Sequence, residues 1–215
     1  MGQSLDDFET DLEGLIGRPT SLRPFVCDGS PLECEAFIVG FNPATTMSRG
    51  FWDFWKGGYG FERERWFSAY KAERAARPLA PGKTRRNPIS NTRRVIDWIM
   101  EAAAPVRFLE TNVHSLPSDD IKSLAYEDRQ TAAFDFLLSR LRPKAILAHG
   151  NDAAAWMKHV APPEAHVVAV SHFSRGWSRD AARRVGAEVA AAVNRRPYPD
   201  VAPSLPQPGE SRGPR

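Results

Sequence analysis

The chain has 215 residues, 42% of them hydrophobic and 26% charged, enough apolar material for one packed core and too much for global disorder. No apolar run approaches the roughly 18 residues of a membrane span, the acidic and apolar alternation of residues 1–17 is unlike a secretion signal, and two cysteines, Cys27 and Cys34, cannot make a disulfide framework, a four-cysteine zinc site or an iron–sulfur cluster. The net charge of +3 conceals a split, because residues 1–35 carry −6 and residues 71–94 carry +7. A basic block beside an acidic one suits an anionic polymer, although a solvated basic loop has the same composition. The expectation is a cytoplasmic, monomeric protein without metal or cofactor.

Leu5, Phe8, Leu12, Leu15 and Ile16 recur at helical spacing behind Ser4, which predicts a capped amphipathic helix over 4–17. The run EAFIVGF (35–41) predicts a buried strand, followed by a loop rich in aromatics and glycine over 42–60. A helix over 61–77, a basic loop over 78–88 and a helix from Ser90 to about residue 104 lead to a second strand over 106–111. Further on, helices are predicted over 126–141, 151–160 and 178–194, and strands over 145–149 and 166–170. Residues 195–215 hold six of the 18 prolines and read as a disordered tail behind a single domain over 1–194. Strands alternating with helices define an α/β protein, a three-layer α/β/α sandwich around a mostly parallel four-stranded sheet.

In such sheets ligands sit beyond the carboxyl ends of the strands. The segments there are Gly40-Phe41-Asn42-Pro43, Thr111-Asn112-Val113-His114, His149-Gly150-Asn151-Asp152 and Ser171-His172-Phe173-Ser174-Arg175-Gly176. Three of them present an Asn and the fourth a His. Asn and Ser also start loops and cap helices, and Asn151 is read as such a cap. No Walker loop, dinucleotide fingerprint, nucleophile elbow or deaminase signature is present, and the five histidines lack zinc-ligand spacing. What remains is a metal-free site of amides, histidines and aromatics.

The stretches IVGFNPATT (38–46), FLETNVHSLP (108–117) and AVSHFSRGW (169–177) resemble, in that order, the three motifs of the uracil-DNA glycosylase superfamily. These are a G-x-[DN]-P after the first strand, an Asn-bearing strand end in mid-chain and a late H-x-S. The resemblance spans about residues 35–190. It implies a monofunctional DNA glycosylase that hydrolyses the N-glycosidic bond of a flipped base and leaves an abasic site. Asn42 matches the residue that holds or polarises the attacking water, and His172 the residue that stabilises negative charge on the departing base. Asn112 matches the amide that bonds the polar edge of the base, with Gly40, Phe41 and Pro43 completing the surface of the first motif. An aromatic from the loop Phe51-Trp52-Asp53-Phe54-Trp55 is expected to stack on the base, Phe54 first and Phe51 second. Phosphates are expected to be met by Arg85, Arg86, Arg93 and Arg94, and by Ser174 and Arg175.

The residue types suit that chemistry. Breaking the bond leaves negative charge on the base, and a fixed donor where that charge forms lowers the barrier without reorganisation. Extruding a base costs a few kcal/mol, offset by stacking and edge hydrogen bonds. Asn42 stands where the fastest uracil enzymes have Asp, Ala44 where the Asn-bearing branches usually have Gly, and Phe173 where Pro is frequent. The implied substrate is therefore uracil, a mismatched or damaged pyrimidine, or a modified base such as those of phage DNA. The alternatives are a catalytically poor member that binds DNA or a damaged base, and a hydrolase of small nucleosides or nucleotides. His114 can reach a pocket or a phosphate, His149 reads as a satisfied half-buried histidine, and Asp53 as a turn former or reserve water-activating group.

Overall fold

The computed structural model describes residues 3–44, 46–79, 81–118 and 124–195. Its strands are β1 (Phe25–Val26), β2 (Ala36–Gly40), the hairpin pair β3 (Trp55–Lys56) and β4 (Gly60–Phe61), β5 (Phe108–Asn112), β6 (Ala145–His149) and β7 (His166–Val170). Its helices are α1 (Leu5–Ile16), α2 (Arg63–Ala76), α3 (Asn91–Ala103), α4 (Ala132–Leu141), α5 (Asn151–Val160) and α6 (Arg179–Asn194).

The main sheet runs β1-β5-β2-β6-β7, with β1 antiparallel to β5 and the other four strands parallel. The sheet thus has five strands rather than the four expected. The extra one is a two-residue edge strand, too short for any sequence period to reveal. Side chains alternate across the sheet. Phe37, Val39, Leu109, Ile146 and Ala148 pack with α1, α4 and α5 on one face. Ala36, Ile38, Phe108, Ala145 and Leu147 pack with α3 and α6 on the other. Strands buried on both faces have no polar alternation, which is why they read as short continuous apolar runs. The three-layer sandwich is therefore the observed architecture.

Caps fix the helix starts where sequence placed them. Ser4 accepts the Asp7 N–H at 3.1 Å, and the Asp7 carboxylate accepts the Ser4 N–H in return. Ser90 and Ser178 cap α3 and α6 in the same way, each at 3.1 Å. Two elements depart from expectation. The predicted helix over 126–141 is one 3₁₀ turn at Tyr126–Asp128 and then α4, because residues 125–130 are exposed and offer no apolar face to pack. The loop over 42–60 contains a 3₁₀ turn at Phe51–Phe54 and the β3–β4 hairpin. Among the described residues no helix is long and apolar enough to cross a membrane. The expected tail lies, beyond Arg195, outside the described residues.

The connection out of β2 leads to β5 on one side, while β5 returns across to β6 on the other. The carboxyl end of β2 is thus a topological switch point, the place in an open α/β sheet where a crevice forms.

Candidate functional site

Three adjacent strand ends meet at that point. Gly40 pairs in register with Asn112, and Val39 with Ala148, so Asn112, Gly40 and His149 form one row on the α3–α6 face. Gly40 leaves a notch in that row. A Cβ there would lie 2.5 Å from Asn112 Oδ1 and 3.0 Å from His149 Nε2, so any other residue would push these two side chains out of place. The segment after β5 then clamps the first motif through three backbone bonds. Val113 N–H donates to the Gly40 carbonyl at 3.0 Å, His114 to Phe41 at 2.9 Å and Ser118 to Pro43 at 2.9 Å. The Asn42 amide nitrogen donates to the Ser118 carbonyl at 3.1 Å and hydroxyl at 3.0 Å. Its carbonyl oxygen is the polar atom left for the cleft.

His172 completes the row from the loop after β7. Its ring lies against Gly150, where a φ of +90° favours glycine and where a Cβ would stand only 3.3 Å from the imidazole. The Ser174 backbone N–H donates to His172 Nδ1 at 3.2 Å, with the Ser174 hydroxyl at 2.9 Å from the same atom. A backbone N–H only donates, so Nδ1 is an acceptor and the neutral ring carries its proton on Nε2. The next residue, Phe173, is buried and stacks on His149 with ring centroids 4.3 Å apart. His149 lies 5.2 Å from His172, centroid to centroid. Burial first, then repulsion from a proton on His172 and from Arg93, push His149 down to about 3, so it is neutral at physiological pH.

Asn42, Asn112, His149 and His172 line one cleft of about 360 Å³. Its other wall is strongly basic. Among the described residues, Arg23, Arg74, Arg77 and Arg93 line it beside a single carboxylate, Glu110. Glu110 is buried and ion-paired to Arg93, with Arg63 at 3.6 Å and Arg63 in turn paired to Asp97 at 3.0 Å. A buried carboxylate persists only with such partners. Arg93 also covers the Trp66 ring at 4.9 Å, and Trp66 stacks on Tyr70 at 5.7 Å. Burial, followed by the neighbouring Arg93 guanidinium, pulls Arg23 down to about 10, still protonated at neutral pH.

Of the residues singled out from sequence, Asn42, Pro43, Asn112, His172 and Arg93 come together in this cleft, with Gly40 as its notch. Phe41 turns away and packs edge-on against His114 at 4.9 Å. The stacking role expected of Phe51, Trp52, Phe54 or Trp55 does not hold: all four are buried, at 4%, 9%, 1% and 6% exposure, in the core with Phe8 and Phe25. The 3₁₀ turn and hairpin fold the segment inward. Phe51 and Phe54 border a separate cavity of about 330 Å³, which shares Arg23 and Trp66 with the cleft. The aromatics of the cleft wall itself include Trp66 and Tyr70.

The basic residues divide in the same way. Arg86 spans the end of α2, donating to the Arg74 and Arg77 carbonyls at 2.7 Å and to Pro78, so it is a helix cap rather than a phosphate ligand. Arg93 is committed to Glu110, and Arg94 bonds Asn91 while covering Trp98 at 5.7 Å. Arg85 and Arg175 are exposed. Ser174 orients His172, and its carbonyl accepts from Asn91 Nδ2 at 3.1 Å, which ties the His172 loop to α3. Asp53 accepts the Gly50 N–H at 2.8 Å, as a turn former does. His114 is buried between Phe41 and Trp156. The cap before α5 is Gly150 rather than Asn151.

Sequence reading missed Glu110, Trp66, Tyr70 and the place of His149. One signal was present: a carboxylate inside the buried run FLETN needs a cation beside it. Among the described residues no cluster of His, Cys, Asp and Glu is placed to hold a metal. No protein-family model matches this chain, and no curated protein matches it in sequence.

Proposed function

We propose that the protein is a monofunctional DNA base-excision glycosylase acting at this cleft. The observation that carries the reading is the convergence of Asn42, Asn112 and His172, from three separate strand ends, on one cavity at the switch point of the sheet. In this mechanism Asn112 bonds the edge of an everted base. The His172 Nε2–H points its dipole at the base oxygen that gains charge as the C1′–N bond breaks. A preorganised donor of this kind contributes about 2.7–4 kcal/mol to the barrier. The Asn42 carbonyl orients a water toward C1′, and the hydroxyl of that water ends on the sugar. The bonding electrons leave with the base, which is then protonated.

Two features support a slow enzyme, the point where the catalytically poor alternative differs only in degree. An amide is a weak proton acceptor, and Glu110, the one carboxylate among the described residues of the cleft, is tied to Arg93. DNA as partner is supported by the exposed Lys83, Arg85 and Arg175, which flank the α3 start and the His172 loop. The test is a panel of oligonucleotides bearing uracil, mismatched, damaged and phage-type modified pyrimidines, scored by alkaline strand cleavage. Cleavage at one base, abolished in Asn42→Ala and His172→Ala, is the expected result. No cleavage at any base, with tight binding kept, turns the reading to the binding-only member.

A further inference from the structure

The charge of the cleft exceeds what reading a base requires. An uncharged base is met by the amides and imidazoles of the strand ends, yet among the described residues four arginines line the same cavity against one carboxylate. Glu110 accounts for part of that charge by pairing with Arg93, but Arg23 and Arg93 still repel each other within a buried wall. The first turn of α3 carries Arg93 and Arg94 and no acid, against the preference of a helix N-terminus for negative charge. Residues set against local stability in this way mark a site shaped by function.

Arg74 and Arg77 also keep donors for a ligand. Arg74 is tethered by its Nε to the Asn87 carbonyl at 3.0 Å, which leaves its terminal nitrogens unspent by that bond. Arg77 is held through one terminal nitrogen to the Thr46 carbonyl. A guanidinium has five N–H donors in a fork that fits phosphate oxygens, so each of these arginines is positioned without being exhausted.

We propose that Arg74 and Arg77, on the wall they share with Arg23 and Arg93, form a phosphate subsite inside the cleft, holding a phosphate ester of the nucleotide whose base meets Asn112. The inference rests on the reading of Asn112 as the base-binding residue. It makes the ligand of the cleft a phosphorylated nucleotide unit rather than a free base or a nucleoside. The phosphate belongs either to a DNA strand or to a free nucleotide.

The test is calorimetry on the full chain with inorganic phosphate, with pyrimidine deoxynucleosides, with their 5′-monophosphates and with a short single-stranded oligonucleotide. The monophosphates are expected to bind about tenfold or more tightly than the nucleosides. Inorganic phosphate should bind on its own, and both effects should vanish in Arg74→Gln/Arg77→Gln with the fold kept, read as an unchanged circular-dichroism spectrum. Equal affinity for nucleoside and nucleotide overturns the subsite, as does phosphate binding that survives the double substitution. Excision by the unsubstituted chain keeps the two readings apart: phosphate binding without excision on any oligonucleotide upholds the subsite and removes the glycosylase, and Asn112→Ala should weaken nucleoside binding while leaving inorganic phosphate binding intact. An oligonucleotide that outcompetes the monophosphate assigns the phosphate to a strand; the reverse order assigns it to a free nucleotide.

Discussion

One wall of the cleft consists of strand ends and the other mainly of helix faces, and different physics fixes each. Asn112, Gly40 and His149 are aligned by the parallel register, and Asn42 and His172 follow within two residues of their strands. The opposite wall depends on how α2 and α3 pack, with Glu110 beneath gathering Arg93 and Arg63. The first wall is built of amides and imidazoles on strand ends, suited to orienting a base and a water. The second is charged, and its integrity hangs on ion pairs in a partly buried setting. The lesson is that chemistry and affinity are separable here: damage to one wall should spare what the other does.

The largest effect is expected at the base of the charged wall. Glu110→Ala leaves Arg93 and Arg63 without their shared carboxylate in a buried site. Breaking such a pair costs about 3–5 kcal/mol, read as a fall in denaturant midpoint at unchanged slope. A loss below about 1 kcal/mol, the range of exposed pairs, would show that this wall is solvated.

The strand-end wall should answer in rate instead. His172→Ala is expected to lower single-turnover excision by about 10²–10³ while DNA affinity and melting temperature hold, because a donor aimed at developing charge acts mainly in the transition state. Asn42→Ala should behave likewise. A variant that loses affinity and rate equally would mean that His172 binds substrate rather than stabilising its transition state.

The unequal legibility of the walls in sequence follows from the same difference. A strand end is a local event, visible as an apolar run that stops, so Gly40, Asn42, Asn112 and His172 stood out in order. The helix wall is a tertiary event. Nothing local turns Trp66 and Tyr70 toward the cleft, and nothing local sends Arg93 to Glu110, 17 residues on. The aromatic segment over 51–55 misled for a related reason. Composition marks such a run as a stacking surface or a core with equal force, and only the hairpin that turns it onto Phe25 and Phe8 decides for core. His149 reads as an ordinary strand-end histidine until its neighbours Gly40, His172 and Phe173 are in place.

His149 links the walls through pH. Its folded value is about 3 against 6.5 in the unfolded chain. Between these values the unfolded chain takes up a proton that the folded one refuses. Stability should therefore fall as pH drops below about 6.5, at up to roughly 1.4 kcal/mol per pH unit. His149→Gln should flatten that slope in urea titrations between pH 6.5 and 4. An unchanged slope would assign acid sensitivity to the carboxylates instead.

The smallest effects separate two neighbouring arginines that composition treats alike. Arg85 is exposed, so its charge is available to a phosphate, and Arg85→Ala should reduce the salt slope of DNA affinity by about 0.7–0.9 without moving the melting temperature. Arg86 closes the end of α2 through the Arg74, Arg77 and Pro78 carbonyls. Its loss should cost about 0.5–1.5 kcal/mol of stability, the net worth of an ordinary hydrogen bond or two in a half-exposed setting, and leave the salt slope where it was. The pair is informative because both substitutions remove one positive charge from adjacent positions. Net charge and long-range attraction change identically, so a difference in salt slope reports direct phosphate contact and a difference in melting reports the cap. Equal slopes for the two variants would mean that the segment over 81–88 acts as a diffuse cationic cloud, with Arg85 making no contact of its own.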